Sequence, residues 1–166
     1  ADPDLIVVST AGADSTIDQI DALSDIAPTV AVDYSNQDWQ DLSTQLGEIT
    51  GHEAGAADMI ADFDAATATA AEDLNQPEGE ATIVSFNGAG QDAGIAKIGG
   101  SHATLLDALG FTVVEADESL DVSEQARGDF AFVSFENLPE AVTGDSAFLI
   151  SSTQETVDAF LAEPVL

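Results

Sequence analysis

The chain has 166 residues, 45% of them hydrophobic, enough for one ordinary domain or two small lobes with a real core. Its charge is one-sided: 32 acidic residues face only Lys97 and Arg127, for a formal net charge of -30. A polyanion of this kind repels phosphate backbones and anionic headgroups, which excludes nucleic acid and membrane-surface roles. The acids are spread along the chain and read as a solvated surface suited to a salty medium, where self-repulsion is screened. With no cysteine, neither disulfides nor thiolate metal sites stabilise it.

Leu5–Val8 is a β-branched run closed by Ser9-Thr10-Ala11-Gly12, the pattern of a buried strand and its loop. The strand starts so soon after Ala1 that the chain is expected to open inside a domain, and Ala162–Leu166 closes it as abruptly. Ser15 is expected to cap a short helix through Leu23, with Ile17, Ile20 and Leu23 on one face. Pro28 opens a strand over Thr29–Val32, and Asp33–Asn36 is its loop. Trp39, Leu42, Leu46 and Ile49 then recur at helical spacing, with Gly47 and Gly51 placed to break or kink that helix. From His52 to Leu74 the periodicity is most regular, with Ala56, Met59, Ile60, Phe63, Thr67, Ala70 and Leu74 on one face. A helix of about 22 residues is roughly 33 Å long, the width of a small domain.

Beyond Asn75–Gly79 the αβ alternation resumes: strand Ala81–Phe86, Gly-rich loop Asn87–Gln91, and a weak strand Ala93–Ile98. Ser101 is expected to cap a helix over His102–Leu109 that stops at Gly110. Thr112–Val114 reads as a strand, Ser123–Arg127 as a helical turn, and Phe130–Val133 as another strand. Phe148–Ile150 and Thr153–Leu161 complete the pattern as a strand and a helix. Strands alternating with helices predict an α/β fold with mainly parallel sheets covered on both faces.

This order of elements resembles the iron-siderophore and cobalamin class of ABC-transporter solute-binding proteins. The residues carrying the resemblance are Pro3-Asp4-Leu5-Ile6-Val7, Ile26–Val30, Trp39 through Leu46-Gly47-Glu48-Ile49-Thr50-Gly51, and Leu105–Gly110. Ser123-Glu124 followed by Gly128–Val133 continues it. Each motif is weak alone; in this order they cover nearly the whole chain. The resemblance implies two αβ lobes joined by one long spine helix, with an incomplete first lobe over 1–48, the helix over 49–76, and a second lobe over 77–166 that lacks its C-terminal end. It implies no enzyme and no resident cofactor, but capture of a ferric siderophore between the lobes and delivery to an ABC permease. Its setting would be extracytoplasmic, as a periplasmic protein or a cell-surface lipoprotein. Haem or cobalamin is the alternative ligand within the same fold.

Open αβ sheets bind ligands beyond the carboxyl ends of their strands. That rule selects Ser9 and Thr10, Tyr34 and Ser35, the loop with Asn87, Gly88 and Gln91, and Phe135 with Glu136. Tyr34 offers an aromatic face with a hydroxyl, although a loop tyrosine also packs readily on its own lobe. Asn87 and Gln91 offer amide donors, and Gly88 and Gly90 permit close backbone approach; an ordinary Gly-rich turn has the same composition. His102, at a helix start, is a further candidate contact or a solvated residue. His52 reads as an exposed helix-start residue. Two separated histidines do not make the His-rich cage of a free-metal carrier, so iron would arrive chelated. Trianionic chelates call for several cations; with Lys97 and Arg127 alone, and Arg127 expected to pair locally with Glu124, the chain favours a neutral or cationic ferric hydroxamate.

In the resembling family an exposed glutamate on each lobe docks on the permease, and Glu124 matches the second-lobe position. As one acid among 32 it would attract no notice without that context. Gly88-Ala89-Gly90 also looks like a dinucleotide phosphate loop, but the third glycine, Gly94, comes one place late and a strand follows where a helix is required. An adhesive or structural surface domain without ligand is the non-transport alternative. The unpaired strand edge of an incomplete first lobe predicts dimerisation or strand exchange.

Overall fold

The computed structural model describes residues 2–11, 15–125 and 127–163. Gly12, expected in the first loop, and Ala126 of the expected helical turn lie outside them, as do Pro164, Val165 and Leu166. The chain divides into two compact units, Ala1–Ala57 and Asp58–Leu166.

In the first unit, β1 (Ile6–Ser9) pairs in parallel with β2 (Thr29–Val32), Ile6 opposite Thr29 and Ser9 opposite Val32. Val8, Ala11, Ala27 and Val32 are its buried apolar residues. A 3-10 turn (Ile17–Gln19) and α1 (Ile20–Ser24) connect the strands. Ser15 lies one place before the N-cap, and its hydroxyl accepts the Ile17 N–H at 3.4 Å. The same hydroxyl donates to the Ser9 carbonyl at 3.0 Å, and the residue at the N-cap, Thr16, makes no side-chain capping bond.

Helix α2 (Trp39–Thr50) starts at Asp38, whose carboxylate accepts the Asp41 N–H at 2.7 Å. Gly47 does not interrupt it. A Cβ there would sit 2.8 Å from the Ala56 Cβ, so the glycine is needed for close approach of the next helix. Gly51 ends α2 in the left-handed region at φ 70°. Helix α3 (Glu53–Asp73) follows, 21 residues or about 31 Å long. Only Thr67 of it is buried; Met59 and Phe63, assigned above to its apolar face, are exposed.

The sheet of the second unit is built on β3 (Glu80–Ser85). Antiparallel β4 (Ala93–Ala96) pairs with its last two residues, and parallel β5 (Thr112–Val113) with its first two. Parallel β7 (Ser146–Leu149) pairs along Ala81–Val84, and β6 (Phe130–Val133) lies antiparallel to β4. The sheet is therefore mixed: its two antiparallel pairings both involve β4, and its other pairings are parallel as expected. The cause is local: a parallel crossover takes a dozen or more residues, and the link Phe86–Asp92 closes instead as a tight turn, with Gln91 N–H donating to the Gly88 carbonyl at 3.2 Å.

Both faces of β3 are covered. Ile83 faces a cluster with Ala96 and with Ala103 of α4 (Ser101–Ala108). Val84 belongs to a second cluster with Ile95, Val133, Leu138 and Ala141 of α5 (Leu138–Ala141), and Phe160 of α6 (Gln154–Leu161). Ile83, Val84, Ile95 and Val133 have no exposed surface, as expected of a strand core sandwiched between helices. Ser101 is the first residue of α4 and not its cap, a place taken by Gly100. Thr153 caps α6, its hydroxyl accepting the Thr156 N–H at 3.2 Å.

The expected helical turn at Ser123–Arg127 is absent from its described residues; a 3-10 turn forms earlier, at Glu118–Leu120. Asp121 explains the difference. Its carboxylate accepts the N–H and hydroxyl of Ser123, the Phe132 N–H at 3.2 Å and the Lys97 ammonium at 3.0 Å, holding the segment against β6 instead of letting it coil. The Lys97 ammonium also donates to the Arg127 carbonyl at 3.0 Å. Arg127 pairs with Asp129 through two bonds of 2.8 and 2.7 Å, and not with Glu124. Burial pushes the Asp121 carboxyl up, but the hydrogen bonds from Ser123, Lys97 and Phe132 outweigh it and leave the pKa at about 2.

A folded-state pKa below the unfolded value stabilises the fold above pH 4 and ceases to do so as pH falls toward 2. Asp121→Ala is expected to destabilise the protein by about 2 kcal/mol at pH 7. The gap from the unsubstituted protein should close between about pH 4 and pH 2. Chemical denaturation across that range measures it; a gap that stays constant with pH would refute the assignment.

Candidate functional site

The antiparallel turn between β3 and β4 decides which candidates in the second unit meet. Ser85 at the end of β3 pairs with Gly94, and Ala93 at the start of β4 pairs with Val133 at the end of β6. The loop Asn87–Gln91 and the residues after Val133 therefore lie at one end of the sheet. Asn87 and Gln91 are both exposed there; the Asn87 amide donates to the Asp92 carbonyl at 2.8 Å, which orients it on the turn. Gly88 and Gly90 adopt φ of 109° and 74°, conformations open to glycine with little strain. Phe135 begins a 3-10 turn (Phe135–Asn137) and is half-buried against the Val84 cluster, so part of its ring serves the core. Glu136 beside it is exposed.

His102 is not in this group. Because β4 runs antiparallel, its carboxyl end pairs with the amino end of β6, Ala96 opposite Phe130. His102 follows that end: it is exposed, and its ring lies 5.4 Å from that of Phe130. The carboxyl-end rule selects opposite sides of the sheet when one strand reverses. Glu124 belongs to the His102 side. It is exposed on the segment held by Asp121 and Lys97, and the Lys97 N–H donates to the Asp129 carbonyl at 2.9 Å. An open groove of about 380 Å³ lined by Ile98, Gly99, Ala103, Thr104, Asp107, Thr112 and Val113 lies next to that turn.

In the first unit, the ends of β1 and β2 bring Ser9, Thr10, Tyr34 and Ser35 to one edge. Tyr34 is 36% exposed. Ser35 is buried, and both its N–H and its hydroxyl donate to the Asp33 carboxylate, at 3.0 and 2.9 Å. The Asn36 amide, donating at 2.7 Å, is the main influence holding the Asp33 carboxyl below its usual range; slight burial opposes it and the Ser35 bonds assist. The result is an ordered turn that presents Tyr34. Thr10 donates its N–H and its hydroxyl to the Val32 carbonyl at 2.9 and 3.3 Å, and the Ser9 hydroxyl donates to the Ala11 carbonyl at 2.8 Å.

Chemically, the amides and hydroxyls among these residues are neutral donors with an aromatic in reach, and Glu136 is an acid beside those of the second unit. The turn at Gly88–Gly90 joins two antiparallel strands, so no helix N-terminus is aimed at a pyrophosphate and the dinucleotide reading loses its basis. Among the described residues no group of three or more potential metal ligands occurs, and no helix is long and apolar enough to cross a membrane. Sequence reasoning passed over the segment after β7, Ser151–Thr153, which shares the sheet end of Asn87 and Phe135. The one available signal was the cluster Ser151-Ser152-Thr153 directly after a strand.

Comparison with known proteins agrees with this architecture. The chain is 39% identical over 166 residues to the ferric enterobactin-binding periplasmic protein FepB of Escherichia coli O6:H1 strain CFT073, covering 99% of this chain and 52% of that protein. The crystal structure of holo-ViuP superposes with a TM-score of 0.93 at 41% identity, over 99% of this chain and 55% of that one. Staphylococcus aureus SirA complexed with staphyloferrin B gives a TM-score of 0.70 at 23% identity, over 99% and 57%, a likeness of fold alone. The chain thus spans about half the length of these relatives. The periplasmic binding protein family profile matches residues 1–166, and the chain belongs to that family of non-enzymatic α/β binding proteins.

Proposed function

We propose that this chain is the larger part of an extracytoplasmic solute-binding protein that captures a ferric siderophore for an ABC importer. The observation that carries the reading is the 39% identity to a ferric enterobactin-binding protein across 99% of the chain. The neutral donors gathered at the carboxyl end of β3 and β6 support it. In this reading residues 1–48 belong to a first lobe, 49–76 contain the spine helix and 77–166 form most of a second lobe. Tyr34 from the first lobe and Asn87, Gln91 and Phe135 from the second are the proposed ligand contacts, and the ligand-bound form is the one the permease recognises. Ser35 orders the turn that carries Tyr34 through its bonds to Asp33, and Gly88 lets the backbone approach. The protein works in the periplasm or as a cell-surface lipoprotein.

Lys97 and Arg127 are engaged with Asp121 and Asp129, away from the donor loops. That supports a chelate needing no cation from this part of the protein, such as a neutral or cationic hydroxamate. The relative that binds ferric enterobactin makes that chelate the first to try. In the full-length protein, Trp39 fluorescence is expected to quench saturably with ferric enterobactin or a ferric hydroxamate, and not with haem or cobalamin. Quenching by haem or cobalamin alone would move the ligand to that class; silence from all four would overturn capture of these ligands.

For docking on the permease, the resemblance selects Glu124. Glu136 is a second reading, favoured by position: it lies beside Phe135 at the end of the sheet with the donor loops, where a permease receiving the ligand has to approach. Glu124→Ala and Glu136→Ala, each in the full-length protein, separate the two through cellular uptake of the chelate. The docking residue should lower uptake about tenfold or more, with chelate affinity unchanged. No change in either variant would sink docking through these glutamates.

Both outer edges of the two-stranded β1–β2 sheet lack a strand partner among the described residues. The 166-residue chain by itself is therefore expected to self-associate through them, giving twice the monomer mass by light scattering. A strictly monomeric chain would contradict this.

A further inference from the structure

We propose that Ser151 is a ligand-contacting residue, with its hydroxyl hydrogen-bonded to an oxygen of the bound chelate; this rests on the siderophore reading above. Ser151 has φ 51°, the one non-glycine residue with positive φ among the described residues. Six described glycines take such conformations, where the absence of Cβ makes them cheap. Serine at this position incurs a steric cost that glycine would avoid, and strained backbone of this kind concentrates at ligand clamps. The hydroxyl is what serine adds.

The register places Ser151 with the donor loops. Strand β7 runs parallel to β3, with Leu149 opposite Val84, and the Ile150 N–H donates to the Val84 carbonyl at 3.0 Å. The chain after Ile150 therefore emerges at the end of the sheet that bears Asn87 and Gln91. Ser151's neighbours have internal work. The Ser152 hydroxyl donates to the Ile150 carbonyl at 3.1 Å, and the Thr153 hydroxyl caps α6. Ser151 is exposed, and its hydroxyl has no hydrogen-bond partner among the described residues. Held on both sides, it presents a rigid neutral donor, and little ordering is required on binding.

Two variants of the full-length protein separate a contact from a mere turn. Ser151→Gly keeps the φ and removes the hydroxyl; Ser151→Ala removes the hydroxyl and retains the Cβ. Affinity is read by Trp39 quenching, with ferric enterobactin or a ferric hydroxamate, whichever the unsubstituted protein takes. Both variants should bind about three- to tenfold more weakly, the worth of one neutral hydrogen bond, with the glycine variant melting within about 2 °C of the original. Unchanged affinity in Ser151→Gly would overturn the proposal and leave the conformation as a feature of the turn. If the unsubstituted protein takes neither chelate, the siderophore reading fails first and this inference falls with it.

Discussion

The tight turn between β3 and β4 sets the geometry on which the rest of the second unit depends. Gly88 and Gly90 supply two positive φ angles, and the Gln91 N–H closes the turn on the Gly88 carbonyl. With so short a link, β4 has to return alongside β3. The reversal places Asn87 and Gln91 beside the end of β6, where Phe135 and Glu136 follow, and sends His102 to the opposite end. A longer connection with a helix would have aligned all the strands and brought His102 round to the donor loops. Chain reversal at two glycines thus separates the polar face from the acidic segment that carries Glu124.

Charge sets a second constraint. With a net charge of -30, attraction is scarce and repulsion is general. Both cations are used structurally: Lys97 bridges Asp121 and the Arg127 carbonyl, and Arg127 grips Asp129 while lying 5.9 Å from the Phe132 ring centre. Lys97 thereby ties Asp121 and Arg127 to the end of β4. The donor face at the other end relies on amides and hydroxyls, whose interactions depend less on ionic strength than those of exposed charges. An acidic surface and a set of amide and hydroxyl donors at one sheet end are compatible for that reason.

Much of the fold was legible because hydrophobic period and turn residues report local geometry. Thr29–Val32 and Phe130–Val133 emerge as strands with the expected ends, α2 starts at Trp39, and α3 is one residue shorter at each end than the His52–Leu74 span. The departures have identifiable causes. Ser15 and Ser101 have the residue type of caps, yet Ser15 lies one place before the N-cap, accepting the Ile17 N–H while donating across the loop, and Ser101 already belongs to its helix. The Ser123–Arg127 turn is overridden by a carboxylate that gathers donors from Ser123, Phe132 and Lys97, the last 24 residues away in the chain. Ser35, selected as a candidate contact, is buried and tied to Asp33. Ser151 was passed over because positive φ in a non-glycine residue leaves no mark in composition.

Composition, periodicity and motif order along the chain suffice for the α/β class, the acidic and cysteine-free make-up, and the family resemblance. Strand direction, the partners of the two cations, and the division of candidate residues between the two ends of the sheet were decided only by the tertiary structure. Each depends on a hydrogen bond or an ion pair between segments far apart in the chain, or on which way a strand runs. A local pattern of residue types carries the periodicity of a strand but not its direction.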